Sequence, residues 1–527
     1  MTRRALLSRC LALGSGALML ASCATPGRQS AATASATSTG ALSVPRTGGT
    51  LRISIPGDIV SAGAPYRMTG ANVDFSPLVY DTLVAYDTQL KPRPRLATDW
   101  DWSADARRLT LKLRPGVTFH SGRPFTSADA KFSLEHVRDP ALGSNWLNYA
   151  TAMHVTAPDP VTLVIDYDAP LKSSFDVLAS LRMADPQSLE DTNAGRGFVG
   201  TGPFRFEEWV PGDHVTVVRN PAYWQPGKPY LDQVELHVGH DPQAALVGLE
   251  SGSVDWMSGV PAADALRLQS DPTYQVMLTS NGGTFYYVGM DVTVPALADA
   301  RVRQAFSFAL NRPRMVNTGL SSFGRPASIP WPRQSLGYDA GQDQTYTYDL
   351  ARARQLLEAA GWDTATPVQL ALWSQLQITQ RMAEIYQADL ATIGVTVNVQ
   401  KLETTDFSAR LQNGQFGGVW MTNMAYMNLS PATFLSSALP VRVPNTSHYD
   451  SPRYHDLIAQ ANAATNDDQL KVVLHELTQI LLDESFVAPI AEGASIATGP
   501  EVARTSVHNA TWDTFGLFVY EDIWRDP

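Results

Sequence analysis

The chain of 527 residues contains only two cysteines, Cys10 and Cys23, and their place near the N-terminus constrains everything that follows them. From Ala24 onward no internal disulfide can form, and no thiol can serve as nucleophile or metal ligand. A fold without such staples must rest on a buried apolar core, and roughly 500 residues supply one easily. Apolar residues at 44% against 17% charged fit a globular chain with a lightly charged surface. The length favours two or three structural units.

The first residues read as targeting rather than fold. Arg3, Arg4 and Arg9 precede an apolar stretch, Leu11 to Ala21, that is too short to span a hydrocarbon core. Residues 1–22 are therefore expected to be a signal peptide. The segment Leu20-Ala21-Ser22-Cys23 resembles the bacterial lipoprotein processing box, which implies cleavage before Cys23 and a lipid on its thiol. An ordinary signal peptide with an incidental Cys23 is the alternative. Residues 24–39 are dominated by Ala, Ser, Thr, Gly and Gln with no apolar period, so 23–47 reads as a flexible tether. Removing the three leader arginines takes the formal net charge from −11 to about −14. No Lys/Arg run interleaves with aromatics, so a nucleic-acid partner is not expected.

Periodicity gives an α/β succession. Leu51, Ile53 and Ile55 alternate and stop at Pro56-Gly57, which predicts a strand; Leu109–Leu113 and Tyr230–Val238 predict two more. Thr126 with Asp129 reads as a capping box opening a helix, with Phe132 on its inner face. Pro242 to Gly252 suggests a short helix. Asp299 caps a helix carrying Val302, Ala305, Phe306, Ala309 and Leu310, and Asp349 one carrying Ala353, Leu356 and Leu357 that closes at Gly361. A helix from Gln377 to Ile393 is followed by a strand at Val395, Val397 and Val399. A last helix, about Asp468 to Leu482, carries Val472, Leu474, Leu477 and Leu481. Strands and helices in this order indicate an α/β fold.

Searches for chemistry favour binding over catalysis. His475-Glu476 begins like a zinc-protease helix, but Gln479 stands where the second histidine belongs. His237 and His240 with Asp241 straddle a strand end. There is no Gly-x-Ser-x-Gly elbow, no phosphate loop and no dinucleotide fingerprint, so neither cofactor nor metal is expected. Asp74 with Asp81 could form a glycosidase-type pair, though such acids usually supply surface or turn polarity. Trp100 and Trp102 flank Asp101 in an expected surface turn, and Trp209 and Trp224 stand beside loop glycines. Rings of this kind can line a cleft, but most pack in cores.

Several ordered blocks carry a resemblance. They are Leu96 to Ser103; Leu109 to His120; Gly122 to Asp129; Gly200-Thr201-Gly202-Pro203-Phe204 with Trp209, Gly212 and Arg219 to Trp224; Leu249 to Asp255; Asp299 to Ala305; Ala353 to Trp362; and Tyr386 to Val397. From about Gly48 to the C-terminus the chain resembles the large extracytoplasmic solute-binding proteins of bacterial ABC importers, the family 5 group of oligopeptide, dipeptide and nickel receptors.

The resemblance implies a two-lobed periplasmic-binding-protein-like α/β fold of type II, the large variant with three subdomains. It places lobe I with its extra subdomain at 48–280, lobe II at 281–496, and a return to lobe I at 497–527. A ligand would bind in the cleft and the lobes close by hinge motion. The implied function is to capture a peptide or peptide-like solute and deliver it to a permease and ATPase complex, the protein being a monomer anchored extracytoplasmically through Cys23. An oligosaccharide or other non-peptide solute is the alternative, and an exported hydrolase or a sensor or chaperone component remains open. Peptide-binding members carry Trp-x-x-Asp, whose carboxylate pairs with the peptide ammonium. Here the stretch is Trp420-Met421-Thr422-Asn423, then Ser430-Pro431 and Phe434-Leu435, and both expected aspartates are missing. Trp420, Asn423, Met424 and Tyr426 are the candidate ligand contacts; if they are, an amide replaces the charge and the ammonium must be read elsewhere. The same residues could instead fill core.

Overall fold

The computed structural model describes residues 45–527 apart from 68–69, 88–90, 143, 145, 172–173, 279–283, 425–429, 465, 494–500 and 512–517. Among the described residues two large sheets carry the architecture. The first orders its strands Tyr274–Met277, Glu501–Arg504, Trp256–Met257, Thr50–Ile55, Gln233–Val238, His214–Arg219 and Phe204–Val210. Thr50–Ile55 runs parallel to both neighbours, while Glu501–Arg504 runs antiparallel to Trp256–Met257. Glu501 therefore starts its strand beside the carboxyl end of Trp256–Met257, the edge at which open α/β sheets bind ligands.

The second sheet orders Gly324–Pro326, Val487–Gly493, Thr284–Met290, Val419–Met424, Val368–Trp373 and Val397–Leu402. Every residue of Thr284–Met290 is buried. A strand covered on both faces needs an unbroken apolar run rather than alternation. Val288, Met290 and Met421 join the core on one face, and Phe285, Tyr287 and Trp420 the core on the other. A four-stranded antiparallel sheet, Ala97–Trp102, Arg108–Leu113, Thr162–Asp166 and His154–Asp159, forms a further layer. Its inward residues Leu109, Leu111, Leu163 and Ile165 are fully buried, each worth about 1.5–3 kcal/mol relative to exposure.

Local sequence signals place most elements. The Thr126–Asp129 capping box is present at the start of Ser127–His136. The Asp299 and Asp349 carboxylates accept from the Arg301 and Arg352 amides, each at 2.8 Å, and Gly361 closes its helix in the left-handed region.

Five expectations need correction. Phe132 is half-buried and stacks on His136 with ring centroids 5.2 Å apart, while Ala130, Ser133 and Leu134 form the inner face. The strand expected from Tyr230 begins at Gln233, because the Tyr230 carbonyl accepts from Gly48 and the Asp232 amide donates to Gly49. The strand expected from Val395 begins at Val397 and runs to Leu402. In Asp467–Glu484 the buried stripe runs Leu470, Val473, Leu474, Leu477 and Leu481, which leaves Val472 62% exposed. Trp100 and Trp102 sit in the strand Ala97–Trp102 instead of a turn, and both pack on Phe175.

Candidate functional site

The candidate contacts end the strand Val419–Met424, which runs parallel to Val368–Trp373. Trp420 is fully buried; it stacks on Phe416 at 4.8 Å, and a Cβ on Gly289 of the neighbouring strand would come within 2.2 Å of its indole. Only glycine fits opposite that ring. Trp420 thus fills core and presents no open face. Asn423 and Met424 are half-buried opposite Tyr286 and Phe285, and Tyr426 lies outside the described residues, as does Cys23.

Just beyond this strand, residues 430–433 meet the helix Ser174–Ser180. Ser430 caps the helix Pro431–Ser437, and its amide and hydroxyl donate to one oxygen of the Asp176 carboxylate at 3.2 and 2.7 Å. The Thr433 hydroxyl donates to that oxygen, and the Tyr86 hydroxyl donates to the other at 2.7 Å. Asp176 belongs to the helix Ser174–Ser180, and nearby Tyr149 donates to the Thr433 carbonyl at 3.1 Å. Burial raises the Asp176 pKa, and the Ser430, Thr433 and Tyr86 donors oppose that shift.

Asp74 and Asp81 are buried rather than surface polarity, and each has its own partners. Asp81 accepts from Arg95 at 2.7 Å, Thr201 at 3.1 Å, Trp224 at 2.9 Å and Tyr223 at 3.3 Å. The Gly200-Thr201-Gly202 and Tyr223-Trp224 blocks thereby converge on one ion-paired carboxylate. A Cβ on Gly202 would meet the Val79 carbonyl at 2.6 Å, where the Gly202 amide donates to the same carbonyl.

Asp74, on the helix Asn72–Val79, has no such company. Ser258 donates to it at 3.5 Å. Glu501 accepts from the Trp256 indole at 3.1 Å and the Gly259 amide at 3.3 Å. Burial pushes Asp74 up to about 7 and Glu501 up to about 8, with the Asp74 charge adding to the rise at Glu501. The cluster sits at the carboxyl edge of the first sheet, beside the residues that lead into 279–283 and out of 494–500. Sequence reasoning singled out Asp74 but gave no hint of Glu501 or Ser258, because only the antiparallel return strand brings 501 beside 258.

Other candidates lie apart. His237 pairs with Glu235 at 3.1 Å, and exposed His475 lies 3.9 Å from Asp339. Among the described residues no cluster of three or more metal-ligating side chains occurs, and no helix is long and apolar enough to cross a membrane. A groove of about 510 Å³ lined by Tyr338, Lys471, His475 and Glu476 shares no residue with either carboxylate site.

Residues 91–442 match the family model of bacterial extracellular solute-binding proteins, family 5. The chain belongs to this family. Among curated relatives of this family 5 protein, the glutathione-binding protein GsiB of Escherichia coli K12 is 30% identical over 429 residues, covering 78% of this chain and 82% of GsiB. Two solved structures are similar. AgaA from A. tumefaciens R10, in complex with agropinic acid, is 25% identical with a TM-score of 0.73, covering 91% of this chain and 99% of AgaA. The ABC transporter substrate-binding protein CtaP of Listeria monocytogenes is 21% identical with a TM-score of 0.79, covering 91% and 100%. The fold is that of a two-lobed periplasmic binding protein, and family 5 members are extracytoplasmic binding proteins. This family 5 chain is accordingly the solute-binding receptor of an ABC importer.

Proposed function

We propose that this receptor captures a peptide-like solute in the cleft between lobe I, residues 48–280 and 497–527, and lobe II, residues 281–496, and hands it unchanged to its permease. The observation that carries the reading is the 30% identity to a glutathione-binding protein over 78% of the chain. The contact of Asp176 with Ser430 and Thr433 supports closure about such a ligand, since it joins the two lobes through hydrogen bonds that water can replace on opening. Asn423, Met424 and Tyr426 stand as the lobe II contacts, Trp420 acting through them as packing. Identity to AgaA at 25% keeps a non-peptide solute as the second reading.

Native mass measurement of the purified protein, followed by calorimetry with the retained molecule, tests this. A peptide-like mass that leaves the protein unaltered is expected; a sugar-like mass, or turnover, overturns it. The protein acts as a monomer tethered through a lipid on Cys23. Cys23→Ser should release it from the membrane fraction, and light scattering of a fragment starting at Gly48 should give one chain per particle.

A further inference from the structure

Two acids with raised pKa values share one edge of lobe I without a cation between them. Neither Asp74 nor Glu501 forms an ion pair among the described residues. The arginines on adjoining elements are engaged elsewhere: Arg525 pairs with Asp255 at 2.7 Å, and Arg504 donates to the Leu249 carbonyl at 2.9 Å. Burying carboxylates without a counter-charge is costly, and a fold normally relieves the cost by pairing them, as this one does at Asp81.

A second observation points the same way. Tyr520 is fully buried and its hydroxyl has no hydrogen-bond partner, while the charges of both Asp74 and Glu501 act on that hydroxyl. An orphaned buried hydroxyl beside two acids is itself an unmet acceptor. The cluster also has two ends. Asp74 and Ser258 are buried, whereas Glu501 and Gly259 are half-buried, so a group entering from the sheet edge meets Glu501 first.

From this geometry we infer that Asp74, Glu501 and Tyr520 form a subsite for a primary ammonium group of the transported solute. An ammonium offers three N–H donors and no acceptor, which matches two carboxylates and a hydroxyl oxygen. The match also accounts for Asn423: where the lobe II strand has lost its acid, lobe I holds a pair. The inference rests on the peptide-like reading of the ligand.

The test is competition binding by native mass spectrometry, offering the full mature chain one pool of free-amine di- to pentapeptides and a second pool of the same peptides N-acetylated. Retention of the free-amine pool with loss on the order of 100-fold in the acetylated pool is expected, since a buried charged hydrogen bond is being removed. Asp74→Asn and Glu501→Gln should each erase most of that preference while keeping shape, and circular dichroism with retained binding of acetylated peptides would show that the variants fold. Equal binding of both pools, or a preference that survives both substitutions, overturns the subsite and leaves the peptide reading standing. Binding of neither pool overturns both.

Discussion

Asp74 and Asp81 stand seven residues apart at the two ends of one helix and its exit, both buried, yet the chain treats them oppositely. Asp81 collects an arginine, a threonine, a tyrosine and a tryptophan drawn from three segments. Asp74 has one serine at the limit of hydrogen bonding and a second acid for a neighbour. The first carboxylate is part of what holds the surrounding segments together. The second costs stability, and such groups persist where a bound partner repays them.

The contrast breaks most visibly at Asp81. Asp81→Ala strands Arg95 with Glu521 alone, at 3.1 Å, and removes the acceptor of three further donors. A loss of about 3–5 kcal/mol is expected, read as a shift in the urea midpoint. A loss under about 1 kcal/mol would mean that Asp81 is no better supported than Asp74.

Asp176 lies between the two extremes: buried and, among the described residues, without an ion pair, but accepting from the Ser430, Thr433 and Tyr86 hydroxyls. Asp176→Ala removes the acceptor shared by the Ser430, Thr433 and Tyr86 hydroxyls, at about 1–3 kcal/mol. On the proposed lobe boundaries this contact joins the lobes, so the expected readout is a larger radius of gyration in solution scattering with little change in the unfolding midpoint of either lobe. A lower midpoint with an unchanged radius would make the contact structural.

At Asp74 and Glu501 the expected effect has the opposite sign. With folded pKa values of about 7 and about 8 against ordinary carboxylate values near 4, the ligand-free fold holds protons that the unfolded chain has lost. The associated stability is complete below about pH 4 and disappears as pH rises through 7 to 8. Glu501→Gln should therefore be more stable than the parent at pH 8.5 and equal to it at pH 4. Destabilisation at pH 8.5 would show that Glu501 has a favourable partner after all.

The same contrast explains what the sequence makes legible. The blocks Gly200-Thr201-Gly202 and Tyr223-Trp224 are readable as motifs, but the burial of Asp81 between them is not, since an acid in such a stretch usually supplies surface or turn polarity. Helix caps at Thr126, Asp299 and Asp349 are readable because a cap and its amide are two or three residues apart. Val472 and Val473 differ only by the phase of one helical turn, and adjacent valines carry no signal that separates a 62% exposed side chain from a buried one. The Asp74 cluster is illegible for a different reason. Its members come from residues 74, 258, 501 and 520, and nothing but the closure of the sheet joins them. Trp420 shows the converse, since a ring in a family motif invites a ligand role while Gly289 and Phe416 seal it into core.

Proton release on binding tests the account most directly. Calorimetry of the mature protein with glutathione at pH 6.5, in two buffers of different ionisation enthalpy, counts protons exchanged per ligand bound. An ammonium seated between Asp74 and Glu501 forces both into the charged form, so the account predicts release of about one to two protons, abolished in the double variant Asp74→Asn, Glu501→Gln. Tight binding with no net proton exchange, or release that persists in the double variant, would contradict it.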